Sequence, residues 1–196
     1  MPDRDLDLAL DEARLGQESG MAELWHALNP MVLRYLWVIV GQSAEDVASE
    51  AWLQAARDVR GFRGDAAGFR VWLFRVARHR ALDELRRSGN RREDPAGLSS
   101  AEHLIAPDDP AGEAIERLAT RRALKLIAGL PPDQAEAVLL RAIAGLDVAQ
   151  TADVLGKRPG AVRVAAMRGL RRLATTLTAE QSAAIASDQT AKEVAQ

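Results

Sequence analysis

The stretch GFRVWLFRVARHRALDELRR, Gly68 to Arg87, sets two Phe and one Trp among six Arg. Its apolar residues recur at three- and four-residue intervals, which rules out a half-buried strand and calls for a helix. At about 100° per residue, Phe69, Trp72, Leu73, Val76 and Ala77 share one side, with Phe74, Ala81 and Leu85 adjoining. Arg75, Arg78, His79 and Arg86 gather in an arc of roughly 100° on the other. The helix thus has an apolar floor, which needs a core, and a basic roof, which needs a polyanion or solvent. Arg80 intrudes on the apolar side, where Asp83 and Glu84 stand at helical spacing to answer it.

The rest of the chain also reads as helices. Met21–Gly41 is strongly apolar; Pro30 is expected to kink it or divide it in two, and Gly41 to stop it. In QSAEDVASEAWLQAARDV, Ser43 is the expected N-cap, with acids in the first turn. RGFRGDAAG, Arg60–Gly68, holds three Gly in nine residues and reads as a loop. Ser88–Glu113 is rich in Gly, Pro, Ser and acids without a sustained period, as in a flexible linker. The pattern restarts with AIERLATRRALKLIAGL, stopped near Gly129 and Pro131. PDQAEAVLLRAIAG opens with Asp133 and Glu136 in a capping-box arrangement. DVAQTADVLG is a short helix capped by Asp147 and closed by Gly156. The turn KRPG and a longer basic helix from Ala161 complete a helix-turn-helix pattern. The tail from Thr178 is small and polar, expected to be frayed or partly helical. The fold class is therefore all-α. An acidic segment (1–19) precedes a helical domain (20–92), a linker (93–112), a helix-turn-helix domain (113–177) and a polar tail (178–196).

The net charge of −2 hides a pattern. Residues 57–92 hold eleven Arg against four acids, and residues 157–172 carry six basic groups and no acid. Residues 3–23 and 93–117 are acidic, with seven acids each. Two basic islands on helices suggest two places where a polyanion docks. Chemistry finds little support. No Cys means no disulfide, thiolate zinc site or Cys nucleophile. His26, His79 and His103 lack metal-ligand spacing, and no phosphate loop or Ser nucleophile motif occurs. Neither an enzyme nor a cofactor is expected. The acidic N-terminus is unlike a signal peptide, and no apolar run approaches the ~18 residues of a membrane span. The expectation is a cytoplasmic protein without membrane insertion.

AEDVASEAWLQAARDVRGFRG and FRVWLFRVARHRALDELRR resemble region 2 of bacterial sigma factors of the extracytoplasmic-function (ECF) group, in the sigma-70 family. LPPDQAEAVLLRAIAGLDVAQTADVLGKRPGAVRVAAMRGLRRL resembles their region 4. The two stretches cover most of residues 20–175 in the family's order and spacing. The resemblance implies a non-catalytic factor that binds core RNA polymerase (its beta and beta-prime subunits), recognises the minus-ten and minus-thirty-five elements of promoter DNA, and melts the duplex to start transcription. It places Glu45, Asp46, Glu50 and Trp52 at the polymerase-binding helix, with Trp52 as an apolar anchor or a core residue. The loop Phe62-Arg63-Gly64-Asp65-Ala66 matches the position that captures a flipped base. Arg75, Arg78, His79, Arg86 and Arg87 match the minus-ten surface, with Phe69 and Trp72 assigned to the apolar floor. In region 4, Arg163 is the candidate base contact, Arg being suited to guanine. Arg158, Arg168, Arg171 and Arg172 are candidates for phosphates. There are departures. Thr151 replaces a usual aliphatic, Lys157-Arg158 an apolar-serine pair, and His79 a common Asn; Val164, Ala165 and Ala166 offer few polar groups. By analogy with the family, an anti-sigma factor is a further partner. The alternatives are a helix-turn-helix regulator binding operator DNA without polymerase, and an RNA-binding helical protein.

Overall fold

Among the residues that the computed structural model describes, 3–89 and 113–194, there are eight α-helices and no strand. The first, α1 (Asp3–Arg14), lies in the segment read only as acidic. Leu6, Ala9, Leu10 and Ala13 recur along it at helical spacing and are buried, so the acids form the outer face of an amphipathic helix. It packs on α2 (Glu18–Val40) at Gly20. A Cβ at Gly20 would collide with the Ala9 carbonyl oxygen and stand 2.5 Å from the Ala13 nitrogen, so only glycine permits this approach.

Pro30 does not divide α2, which runs as one helix through it. The missing N–H orphans the carbonyl of His26, an exposed residue beside which water can take that role. A 3₁₀ turn, Gly41–Ser43, leads into α3 (Ala44–Asp58). Ser43 stands at the N-cap without capping; its hydroxyl lies 3.4 Å from Glu84 Oε1 instead. The expected loop at 60–68 is shorter than its glycines suggest. A 3₁₀ turn covers Val59–Gly61 and α4 (Ala66–Gly89) starts early, because Asp65 caps it by accepting the Gly68 N–H at 2.8 Å.

The floor of α4 is as expected at Phe69, Leu73, Phe74, Val76, Ala77 and Ala81, all buried. Trp72 is only half-buried, and Leu85 is exposed. Arg80 is answered not by its own helix but by α3, donating to Gln54 Oε1 at 2.9 Å with Glu50 at 3.9 Å. Asp83 and Glu84 pair with Arg86 and Arg87 instead.

After α5 (Glu113–Ala128), α6 (Pro132–Ala142) begins without the expected capping box. Pro131 is its N-cap residue and offers no side-chain acceptor. Asp133 instead pairs with Lys157 at 2.8 Å, and Glu136 turns inward. A full capping box does form at α7 (Val148–Leu155), between Asp147 and Gln150, both bonds 2.8 Å. Gly156, at φ +63°, closes it in the left-handed conformation. The last helix, α8 (Pro159–Val194), takes in the tail expected to fray. The hydroxyls of Thr175, Thr176, Thr178 and Ser182 bond carbonyls one turn back within it, and Arg122 pairs with Glu180. The proposed linker, 93–112, lies outside the described residues.

Candidate nucleic-acid interface

The open chain from Phe62 to Asp65 and the start of α4 frame a cleft of about 570 Å³, lined by Arg57, Asp58, Gly61, Phe62, Arg63 and Trp72. Phe62, Phe69 and Trp72 form an aromatic cluster, with centroids 5.5–5.7 Å apart. Phe69 is core, whereas Phe62 and Trp72 are half-buried and line the cleft. Arg63 is exposed, with only long contacts to the carbonyls of Arg60 (3.5 Å) and Phe62 (3.4 Å). Aromatic walls with a cation at the rim suit an unstacked base and its phosphate. Asp65 is committed to the helix cap, so its role is to shape the loop. His79 is exposed further along α4. Arg86 and Arg87 pair with their own helix at 2.8 and 3.6 Å, exposed pairs weak enough to yield to a phosphate.

The roof of α4 is not open as the sequence suggested. Arg75 pairs with Asp153 of α7, and Arg78 forks onto Glu136 of α6 (Nε–Oε1 2.8 Å, Nη2–Oε2 3.3 Å). The first pair is largely solvated and contributes little. The second is not: the side chains are 18% and 10% exposed. Glu136 Oε1 also accepts from the Tyr35 hydroxyl at 3.1 Å, and Tyr35 is fully buried against Phe74. Burial first, then the Glu136 charge, pushes the Tyr35 hydroxyl well above its ordinary value. Burial works against the Arg78 charge, but the hydrogen bond and charge of Glu136 outweigh it, so Arg78 titrates above its ordinary value.

Tyr35 is the only tyrosine in the chain, so tyrosinate absorbance reports on this contact alone. A raised folded value means the folded chain holds the phenolic proton longer than the unfolded one. The stability it contributes is full below the unfolded value of about 10 and is lost as pH rises beyond it. The native chain should therefore show no tyrosinate signal at pH ~10, and the signal should appear together with loss of the α4–α6 contact. Titration at the ordinary value in the native chain would contradict the burial of this hydroxyl.

On α3, Glu45, Asp46 and Glu50 are exposed as expected of a protein-binding face. Trp52 is not part of it. It is 7% exposed, with its indole N–H donated to Asn29 Oδ1 at 3.0 Å, so it belongs to the core. The exposed apolar residue on that helix is Leu53, at 57%, which the sequence reading passed over.

In the second half, α7 and α8 meet across Gly156–Arg158 as a helix-turn-helix. Val162 is buried, while Arg158, Arg163, Arg168, Arg171 and Arg172 are all exposed. Thr151 is buried, and its hydroxyl bonds the Asp147 carbonyl at 2.7 Å. A threonine thus serves where an aliphatic is usual, its polar atom satisfied inside the helix.

This arrangement has relatives. Residues 24–91 match the Sigma-70 region 2 family and residues 113–173 the family described as Sigma-70, region 4. SigD of Mycobacterium tuberculosis, an ECF RNA polymerase sigma factor, is 33% identical over 180 residues, spanning 89% of this chain and 84% of SigD. The chain belongs to the ECF sigma factors. BldN of Streptomyces coelicolor, of the same group, is 33% identical over 172 residues; the match takes in 86% of the sigma factor described here but only 64% of BldN. The solved structure of CnrH in complex with the cytosolic domain of CnrY has the same fold, with a TM-score of 0.61 at 20% identity over 89% of this chain and 98% of that one. In region terms, α2–α4 form region 2 of this sigma factor, and α5 through the first part of α8 form region 4. Sigma factors are non-catalytic initiation factors, which the operator-binding alternative does not match. No described helix is long and apolar enough to cross a membrane.

The structure brings Arg75 and Arg78 of region 2 together with Asp153 and Glu136 of region 4. Sequence reasoning missed Tyr35 and Glu136. The available signal was a glutamate on the apolar side of its helix, beside Ala135 and Leu139, where a charge needs a buried partner.

Proposed function

We propose that this sigma factor docks on core RNA polymerase through Glu45, Asp46 and Glu50 of α3, with Leu53 as the apolar contact. The loop Phe62–Asp65 receives an unstacked minus-ten base, and Arg63, His79, Arg86 and Arg87 hold the melted strand. The start of α8 enters the major groove at minus-thirty-five, with Arg163 toward base edges and Arg158, Arg168, Arg171 and Arg172 toward phosphates. The observation that carries this reading is the aromatic-lined cleft with exposed Arg63 at its rim, at the start of a sigma-family helix. Arg75 and Arg78 join the minus-ten surface only once Asp153 and Glu136 have withdrawn, so engagement with a promoter requires region 4 to leave α4. The working units are proposed to be 3–89, which includes α1, and a region 4 unit from 113, joined through 93–112. An anti-sigma factor, proposed from family membership, would act by preventing that separation or by covering α3.

Run-off transcription with purified core enzyme tests this reading: initiation should depend on the chain. A finer outcome concerns α8. Arg163→Ala should relax promoter selectivity, whereas Arg171→Ala should lower affinity evenly and reduce the salt slope by about one. Equal, sequence-independent losses from both variants would contradict the assignment.

A further inference from the structure

The base-receiving loop has few ties of its own. Phe62 N–H bonds the Val59 carbonyl at 3.1 Å, and Asp65 caps α4. Between them Gly64 stands at φ +139°, a conformation side-chain-bearing residues rarely adopt. Within region 2 the Phe62 ring packs on Phe69 and Trp72; further contacts reach this middle portion from outside region 2. The guanidinium of Arg14, at the end of α1, donates to the Gly64 carbonyl. The same group lies over the Phe62 ring, with Cζ 5.7 Å from the centroid, and Asp11 steadies it at 2.7 Å. Two turns before Arg14 on α1, Asp7 Oδ1 accepts the Ala66 N–H at 2.7 Å, satisfying a donor at the head of α4. Beyond α1, Gly16 passes so close to Arg60 that a Cβ would stand 2.5 Å from its guanidinium. The loop is thus gripped from α1 at its ring, at its carbonyl and at its exit.

We propose that α1 is a positioning element for the base-receiving loop, with Arg14 and Asp7 as its positioning residues. The proposal rests on the reading of that loop as the base receiver. Neither side chain touches the nucleic acid. Arg14 sets the path of Gly64 and, together with Phe69 and Trp72, holds the Phe62 ring, and Asp7 sets the direction in which α4 leaves the loop. Because Gly64 leaves the backbone free, the depth and width of the cleft depend on these contacts. The acids of α1 fit this role, since they direct the helix to its neighbours and not to DNA.

The test uses holoenzyme reconstituted with core RNA polymerase and a fully randomised single-stranded DNA library, with bound sequences read out by sequencing. The native protein should enrich one base at the captured position. Arg14→Ala should flatten that preference about five- to tenfold, at the low end of a base mismatch, and Asp7→Asn should flatten it less. Arg14→Lys, which keeps a cation and a donor, should recover part of it. Melting of the full chain by circular dichroism should change far less than the base preference. If Phe62→Ala and Arg63→Ala abolish the preference while Arg14→Ala and Asp7→Asn leave it intact, the positioning role is wrong and the loop reading stands. If Phe62→Ala and Arg63→Ala also keep it, the loop reading itself fails. An even loss of affinity with unchanged preference would equally overturn the positioning role. Should Arg14→Ala not fold, Arg14→Gln decides by the same criterion, because it keeps a donor for Gly64 and removes the cation from Phe62.

Discussion

Arg78→Ala is expected to cost the docking of region 4 on region 2 about 3 kcal/mol, because it strands a buried carboxylate. Glu136 is 8% exposed and would keep only the Tyr35 hydroxyl as a partner. The reverse change, Glu136→Leu, should cost less, about 1–2 kcal/mol: the longer arginine can turn its head to water while its stem stays packed, but the buried Tyr35 hydroxyl loses its acceptor. The triple change Arg78→Met, Glu136→Leu and Tyr35→Phe should restore most of the loss, as replacing every member of a buried polar set commonly does, with no hydroxyl left without an acceptor. Denaturant melts of the full chain give the free energies. Small-angle scattering gives the physical consequence, an increased radius of gyration for Arg78→Ala as region 4 moves off α4. Equal small losses for both single variants would mean that the contact is solvated and holds nothing.

Gly20→Ala should be at least as damaging, at the upper end of the roughly 1–3 kcal/mol typical of overpacking. The atoms a Cβ would meet are the Ala9 carbonyl oxygen and the Ala13 nitrogen. Both are backbone, so no rotamer change relieves the clash and α1 must lift from α2. Gly169→Ala is the informative comparison. There the nearest atom is Val138 Cγ2 at 2.8 Å, a side chain that can shift, and the loss should be smaller. Gly41→Ala meets nothing within 4 Å and should register only backbone strain, at φ +59° and ψ −122° roughly 1–3 kcal/mol. Thermal unfolding should place Gly20→Ala below Gly169→Ala in stability. A well-tolerated Gly20→Ala would mean that α1 does not sit on α2 as described.

Much of this was legible in the sequence because it follows from local rules. The floor of α4, the Asp147 cap, the Gly156 stop and the two-part division of charge each depend on residues within a few positions of one another. What was not legible depends on partners far along the chain. Arg75 and Arg78 read as free because Asp153 and Glu136 lie 78 and 58 residues away. Trp52 was left open between anchor and core because nothing local reveals that Asn29 takes its indole N–H. Glu136 stood at the third position after Asp133 and so imitated a cap, although Pro131 and Pro132 already begin that helix. The α1 helix was obscured by charge. Its five acids drew attention from Leu6, Leu10 and Ala13, whose spacing alone identified a buried face.

The most direct test of the account joins region 2 to region 4. The chain has no cysteine, so Arg75→Cys with Asp153→Cys places a single reactive pair where those exposed side chains meet. A short bis-maleimide linker then holds region 4 on α4. Run-off transcription is measured with purified core RNA polymerase, before and after linkage. The unlinked variant should support initiation at a rate lowered by the loss of Arg75 from the minus-ten surface, and the linked one should still bind core through α3 but fail to initiate. Initiation by the linked protein at the unlinked rate would contradict the need for separation, and an unlinked protein that neither binds core nor supports transcription would overturn the function proposed here.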